Sequence, residues 1–171
     1  MPRGGSGTIT IGKLTQAGRA VAKMGEKLAG KKSQERWLHG VLLGYLEGKY
    51  GQMSSEWGVA HGSWKGRIDL RRGGPNPDVI EFVVRWHGVE EGPDQNASEL
   101  RKLCRVPWEQ ARHRYLLIID LMGGAPLSME RLKRRYDRWH AGPGRFDRQP
   151  VRIVYVHPQS SYHFKWSPYK A

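Results

Sequence analysis

Residues 66–86, GRIDLRRGGPNPDVIEFVVRW, decide how the chain is organised. In the first half of this stretch charged residues alternate with apolar ones, a period of two that is typical of a β-strand. A Gly/Pro/Asn run then predicts a turn, and residues 79–84 are apolar except for Glu81. The stretch therefore predicts a β-hairpin in which Asp69 and Glu81 lie side by side on one face.

Two interpretations of these acids are open. Two carboxylates close together on a rigid hairpin are the minimum for holding a hard divalent cation such as Mg²⁺, with Mn²⁺ as a substitute. The alternative is that Asp69 and Glu81 form ion pairs with the nearby arginines Arg67, Arg71 or Arg85, since an unpaired buried carboxylate is costly.

The composition favours a polyanionic partner. The 171 residues contain 29 Lys plus Arg against 16 Asp plus Glu, a formal net charge of +13, and seven Trp and seven Tyr that can stack on bases. We expect this partner to be nucleic acid, DNA rather than RNA. We expect no membrane partner, because no run of about 18 apolar residues occurs. The single cysteine, Cys104, cannot form an internal disulfide and favours a reducing, cytoplasmic location.

Two segments carry the excess positive charge. Residues 1–32 hold seven basic residues and one acid, which predicts a basic, partly flexible N-terminal arm; it either contacts phosphates or a partner, or is a loosely packed extension. A helix beginning at Ser128 is one-sidedly basic, and we expect phosphate contacts from it rather than only a solvated face. Its candidate residues are Arg131, Arg134, Arg135 and Arg138, and the hairpin arginines Arg71 and Arg85 are further candidates for nucleic-acid contacts.

The remaining pattern predicts an α/β domain. Three helices, each preceded by a serine cap, are expected together with a mixed sheet of four or five strands. Residues 13–28 could form a further helix, with Leu14, Val21, Met24 and Leu28 on one stripe. Residues 115–122, YLLIIDLM, form the most apolar strand and should lie near the centre, whereas the tail SSYHFKWSPYKA is either an edge strand or an exposed aromatic surface. Glu35, in the first turn of the helix capped by Ser33, either stabilises the helix dipole or reaches the hairpin acids.

The chain resembles the PD-(D/E)xK nuclease superfamily, which has the restriction-endonuclease-like fold. The likeness spans residues 33–122 and is carried by Glu35, Asp69 in RIDL, Glu81 in VIEFVV, the helix SELRKLCR and the strand RYLLIIDL. It implies that residues 33–171 form a nuclease-like α/β domain, that the paired acids bind magnesium, and that a lysine two residues after the second acid assists the attacking water.

The sequence departs from the family at that lysine, because Val83 occupies its position. Arg85 lies on the same side of the strand as Glu81, and Lys102 on the following helix could reach across the site; some superfamily members place the lysine on such a helix. Lys102 is the preferred substitute, since arginine is too basic to accept a proton.

Three classes of function therefore stay open. The first is a Mg²⁺-dependent nuclease acting on DNA. The second is an inactive nuclease-fold subunit that binds nucleic acid or assembles a larger nucleoprotein complex. The third is a basic interaction protein of a different α/β fold. The histidines lack zinc-site spacing, and no phosphate-binding GxxxxGK[ST] loop or GxSxG elbow is present.

Overall fold

The computed structural model describes residues 7–27, 35–86, 97–138 and 150–167. The described residues form a mixed α/β structure of four helices and six strands. In chain order these are α1 (Ile11–Glu26), α2 (Glu35–Tyr50), β1 (Ser54–His61), β2 (Trp64–Arg72), β3 (Asp78–Trp86), α3 (Ala97–Arg105), β4 (His113–Leu121), α4 (Met129–Asp137), β5 (Val151–His157) and β6 (Ser160–Trp166).

The strands form one sheet in the order β1-β2-β3-β4-β5-β6. The central strands β3, β4 and β5 are parallel, and the pairs β1–β2, β2–β3 and β5–β6 are antiparallel. The prediction of four or five strands is wrong by one strand, because the aromatic tail folds back on β5 and adds β6 at the edge. The prediction that the apolar strand lies near the centre is confirmed, since β4 has seven consecutive buried residues.

Helices cover both faces of the sheet. On one face α1 and α2 bury an aliphatic stripe against alternate residues of β3, β4 and β5, and on the other face α3 and α4 do the same. This two-sided cover explains why β3 and β4 are almost continuously apolar, as buried parallel strands are. It also leaves charged residues of β3 and β4 inside the structure, where each needs a partner.

Helix α1 belongs to the packed core, although its sequence lies in the segment predicted as a basic arm. Leu14 and Val21 are fully buried, and Gly18 lets the helix approach the sheet so closely that a Cβ there would lie 2.8 Å from Cγ2 of Val156. The buried Asp78 carboxylate also accepts a hydrogen bond from the backbone N–H of Ile9 at 3.0 Å. Residues 1–6 and 28–34, with the predicted cap Ser33, lie outside the described residues.

Candidate functional site

The pairing of β2 with β3 is interrupted at Asp69. The two strands pair from Arg72 to Leu70, and there the Asp69 carboxylate accepts the backbone N–H of Phe82 at 2.7 Å. Residues two apart in a regular strand face the same side of the sheet. Ile68 and Leu70 instead pack in the core clusters on opposite faces, so the regular alternation of β2 is broken at Asp69. The Asp69 carboxylate therefore stands in a gap between the two strands.

Glu81 lies on the α3 face of β3, almost fully buried, with its side chain 1% exposed. Its Oε2 is 2.8 Å from the ammonium of Lys102, and the same ammonium is 2.6 Å from Oε2 of Glu99. Glu99 and Lys102 are three residues apart on α3, which places them on one side of the helix. We call Asp69, Glu81, Glu99 and Lys102 the acidic cluster.

The electrostatics of this cluster favour an added positive charge. Burial, the negative charge of Asp69 and the Glu99 carboxyl raise the pKa of Glu81 to about 10. Burial also raises the pKa of Asp69, against the Phe82 hydrogen bond and the charge of Lys102, which lower it. Folding therefore holds these carboxyl groups closer to their neutral forms than water does.

Lys102 and Glu99 are charged members of the same cluster. Burial acts to lower the pKa of Lys102, but Glu81 and Glu99 outweigh it and raise that pKa above its ordinary value. Burial acts to raise the pKa of Glu99, but contacts with Glu81, Lys102 and Ser98 hold it below its usual range. Three acids thus share one lysine.

The donor set suits Mg²⁺ only in part. Oε1 of Glu81 is buried and accepts no hydrogen bond within the described ranges, and carboxylate oxygen is the donor that Mg²⁺ prefers. In the same part of the chain no group of three or more His, Cys, Asp or Glu residues is arranged to hold a metal ion. Asp69 and Glu81 could at most supply one or two carboxylates to Mg²⁺, an ion that usually completes its shell with water and substrate oxygens.

Helix α2 approaches the acids from the other face of the sheet. The ring of His39 stacks on Phe82, with 6.3 Å between ring centroids, and its charge acts to lower the pKa of Asp69. Sequence reasoning missed His39; the available signal was its position one helical turn after Glu35, on the same side of α2. Glu35 itself is the first described residue of α2 and is half-buried.

The hairpin arginines have partners of their own. Arg67 pairs with Glu56 at 3.2 Å, and the guanidinium of Arg71 lies 4.5 Å from the centre of the Trp57 ring. These contacts leave Lys102 as the cation that pairs with Glu81.

Arg85, predicted to contact phosphate, lies in the core and forms a buried ion pair with Asp120. The same carboxylate oxygen, Oδ2, accepts the hydroxyl of Tyr155, and the other oxygen, Oδ1, accepts the backbone N–H of Met122 at 3.0 Å. We call Arg85, Asp120 and Tyr155 the buried cluster. A direct contact between Arg85 and a phosphate would require this part of the core to open.

Helix α4 presents its arginines at the surface on the α3 side of the sheet. Leu132 and Tyr136 anchor it in the core, and it packs against β6. Three of its candidate phosphate ligands are exposed and one is half-buried: Arg131, Arg134 and Arg138 in the first group, and Arg135 in the second. The predicted cap is confirmed, because Ser128 Oγ accepts the backbone N–H of Arg131 at 3.2 Å.

Comparison with known proteins gives no relative: the chain matches no protein-family model, no curated protein and no solved structure. Among the described residues, no helix is both long and apolar enough to cross a membrane. Functional inference therefore depends on the site's own geometry and charge.

Proposed function

We propose that the protein binds nucleic acid through its phosphates and cleaves it, DNA in preference to RNA, in a Mg²⁺-dependent reaction at the acidic cluster. The observation that carries this proposal is the position of Lys102. Its ammonium lies 2.8 Å from the Glu81 carboxylate, beside an Asp69 that stands in the gap between β2 and β3. A lysine from α3 thus supplies the positive charge that Val83 does not.

Each residue has a distinct role in this proposal. Asp69 and Glu81 would hold the cation; Mg²⁺, when bound, offsets negative charge on the scissile phosphate and activates the attacking water. The pKa of Lys102 is raised by Glu81 and Glu99, so the amine stays protonated and donates hydrogen bonds to a phosphate oxygen instead of accepting a proton. Its role is therefore charge stabilisation.

The remaining charge would hold the substrate. With a net charge of +13 and exposed arginines on α4, phosphate contacts should dominate affinity. Each contact that is lost should reduce the log–log salt slope by about 0.9 on duplex DNA. Changing Arg131, Arg134 and Arg138 to Ala should weaken binding to all sequences alike.

The test is a cleavage assay with Mg²⁺ or Mn²⁺ on single- and double-stranded DNA and RNA. Asp69→Asn and Glu81→Gln should each reduce cleavage by about 10²-fold or more, since each removes a charge that holds the ion, while binding measured in EDTA is retained. Glu109→Gln, an exposed acid outside the cluster, is the matched control. Cleavage that survives both cluster substitutions would refute the proposed site.

A second candidate function is a nuclease-like subunit that binds nucleic acid, or assembles a larger nucleoprotein complex, without cutting. It is favoured by the observation that Lys102 already pairs with both Glu81 and Glu99 and occupies space a cation would need. Salt-dependent binding, no cleavage with either metal and no rise in Tm on adding Mg²⁺ would support this function over the first.

A further inference from the structure

A cleft of about 370 Å³ lies between the flank of α1 and the turn that joins β5 to β6. It is on the α1 face of the sheet, whereas Lys102 and Glu81 are on the α3 face, so it is separate from the acidic cluster. A volume of this order is at the lower end of the range for small-molecule sites. It opens beside the carboxyl end of β5, the end of parallel strands at which ligands bind in many open sheets.

One side of the cleft is a single face of α1. Arg19, Lys23 and Glu26 line it together with Ala22, and this spacing of three and four residues is that of one helical face. At the end of α1 the backbone carbonyls of Met24 and Gly25 accept the backbone N–H of Lys27. The side chains, two basic and one acidic, therefore set the charge of this wall.

The opposite side holds a buried histidine in a defined orientation. His157, 5% exposed, accepts the backbone N–H of Gln159 at its Nδ1, with a distance of 3.1 Å. An imidazole whose Nδ1 accepts a hydrogen bond carries its proton on Nε2. The second nitrogen of His157 is thus a hydrogen-bond donor.

Arg19 is held in place by a hydrogen bond to strand β6, next to the cleft. Its Nη2 donates to Oγ of Ser161 at 2.7 Å, which ties α1 to β6. A guanidinium has five N–H donors in a planar fork, so this bond leaves further donors for a ligand. Guanidinium, ammonium and imidazole groups are the chemistry that recognises phosphate oxygens.

We propose that this cleft binds a phosphate group, with Arg19, Lys23 and His157 as its ligands. The phosphate is inorganic, belongs to a mononucleotide, or is the terminal phosphate of a nucleic acid strand; all three present the same oxygens. The site does not depend on the proposed nuclease activity, because no residue of the acidic cluster contributes to it.

The test is a set of titrations in EDTA, where metal-dependent cleavage cannot occur. The probes are inorganic phosphate, AMP and two otherwise identical short oligonucleotides, one with a 5′-phosphate and one with a 5′-hydroxyl, followed by NMR shifts and by calorimetry. The wild type should bind the phosphorylated strand about 3- to 10-fold more tightly, the range expected for one or two charge-assisted hydrogen bonds. Competition by AMP identifies a free nucleotide as a sufficient ligand, whereas binding of the phosphorylated strand alone identifies the strand end.

Matched substitutions on α1 separate this site from general charge. Lys23→Gln should remove the preference for the phosphorylated strand, and Lys13→Gln, an exposed lysine of the same helix outside the cleft, should keep it. Glu26→Gln should increase the preference, because it removes the acid on the same wall. Equal affinity of the wild type for both strands without any phosphate-induced shift, or equal loss in the two lysine variants, would overturn the proposal.

Discussion

Strand β3 contributes a charged residue to each of two clusters on the same face of the sheet, and the two clusters are built differently. In the buried cluster Arg85 and Asp120 are 7% and 2% exposed, and the carboxylate also accepts hydrogen bonds from Tyr155 and Met122. In the acidic cluster Glu81 is equally buried, but its partner Lys102 is 31% exposed.

The balance of charge differs as well. The buried cluster has one acid for one arginine, whereas the acidic cluster has three acids for one lysine, and Oε1 of Glu81 accepts no hydrogen bond in the part of the chain that the structure describes. A balanced ion pair closed off from water holds the fold together, and removing either half leaves an uncompensated charge. An unbalanced cluster with a path to solvent can accept another cation. We therefore expect the buried cluster to control stability and the acidic cluster to respond to metal.

The largest expected effect separates the two clusters by stability. Asp120→Ala should lower the free energy of unfolding by about 3–5 kcal/mol, because it leaves the guanidinium of Arg85 buried without its carboxylate. Urea denaturation at pH 7 measures the change. Arg67→Ala breaks an ion pair whose side chains are 76% and 66% exposed and is the control; its effect should stay below about 0.5 kcal/mol.

Substitution of Lys102 should lower stability but increase the response to metal. Lys102→Met should cost about 1–2 kcal/mol in EDTA, less than Asp120→Ala, because Glu81 can remain protonated when its lysine is removed. Thermal unfolding should then show a larger rise of Tm with added Mg²⁺ than in the wild type, since the acids have lost the ammonium that pairs with Glu81 and Glu99.

Lys65→Met, a change at an exposed lysine of β2, controls for the loss of one positive charge. If the two lysine variants lose the same stability and respond alike to Mg²⁺, Lys102 has no special role in the cluster and the comparison with the buried cluster fails.

The sequence predicted one of these clusters much better than the other. The alternation around Asp69 and the single acid in an apolar strand were enough to identify the hairpin and both acids, and α3 was placed well enough to suggest Lys102. The sequence offers no reason to single out Glu99, because only the packing of α3 on β3 brings the Glu99–Lys102 pair to Glu81. Arg85 and Asp120 are 35 positions apart in the sequence, so no local sequence pattern indicates that they pair.

The packing of α1 in the core was missed for a different reason, its glycines. Gly18 and Gly25 lower helix propensity, which weakens the helix pattern of residues 13–28, so the segment was predicted as a basic arm or a loosely packed extension. In the structure those glycines allow α1 to pack tightly on the sheet; a Cβ at Gly25 would lie 2.5 Å from Cδ1 of Leu121. Tertiary packing thus outweighs a local penalty of about 1 kcal/mol per glycine.

A smaller effect concerns pH. Glu81 has its folded pKa raised to about 10 from an ordinary value of 4.5, so its favourable contribution is complete below about pH 4.5 and is lost as pH rises toward 10. Glu81→Gln keeps a neutral group there at all pH values. The variant should gain about 1 kcal/mol or more relative to the wild type between pH 5 and pH 8.5, measured from urea midpoints. A stability difference that does not change with pH would show that Glu81 is ionised in the fold.

The smallest effect decides whether the acidic cluster offers two carboxylates or three. Glu99 is 27% exposed, and Lys102 keeps Glu81 as a partner without it, so Glu99→Gln should change the free energy of unfolding by less than about 0.5 kcal/mol. Removing one of the three acids should nevertheless raise the Mg²⁺ concentration at half-maximal Tm shift by about threefold, because Mg²⁺ affinity follows the number of carboxylate ligands nearby. Loss of the whole Mg²⁺ response, as expected for Glu81→Gln, would make Glu99 a direct ligand. An unchanged half-maximal concentration would leave Asp69 and Glu81 as the cation site and reduce Glu99 to a residue that positions Lys102.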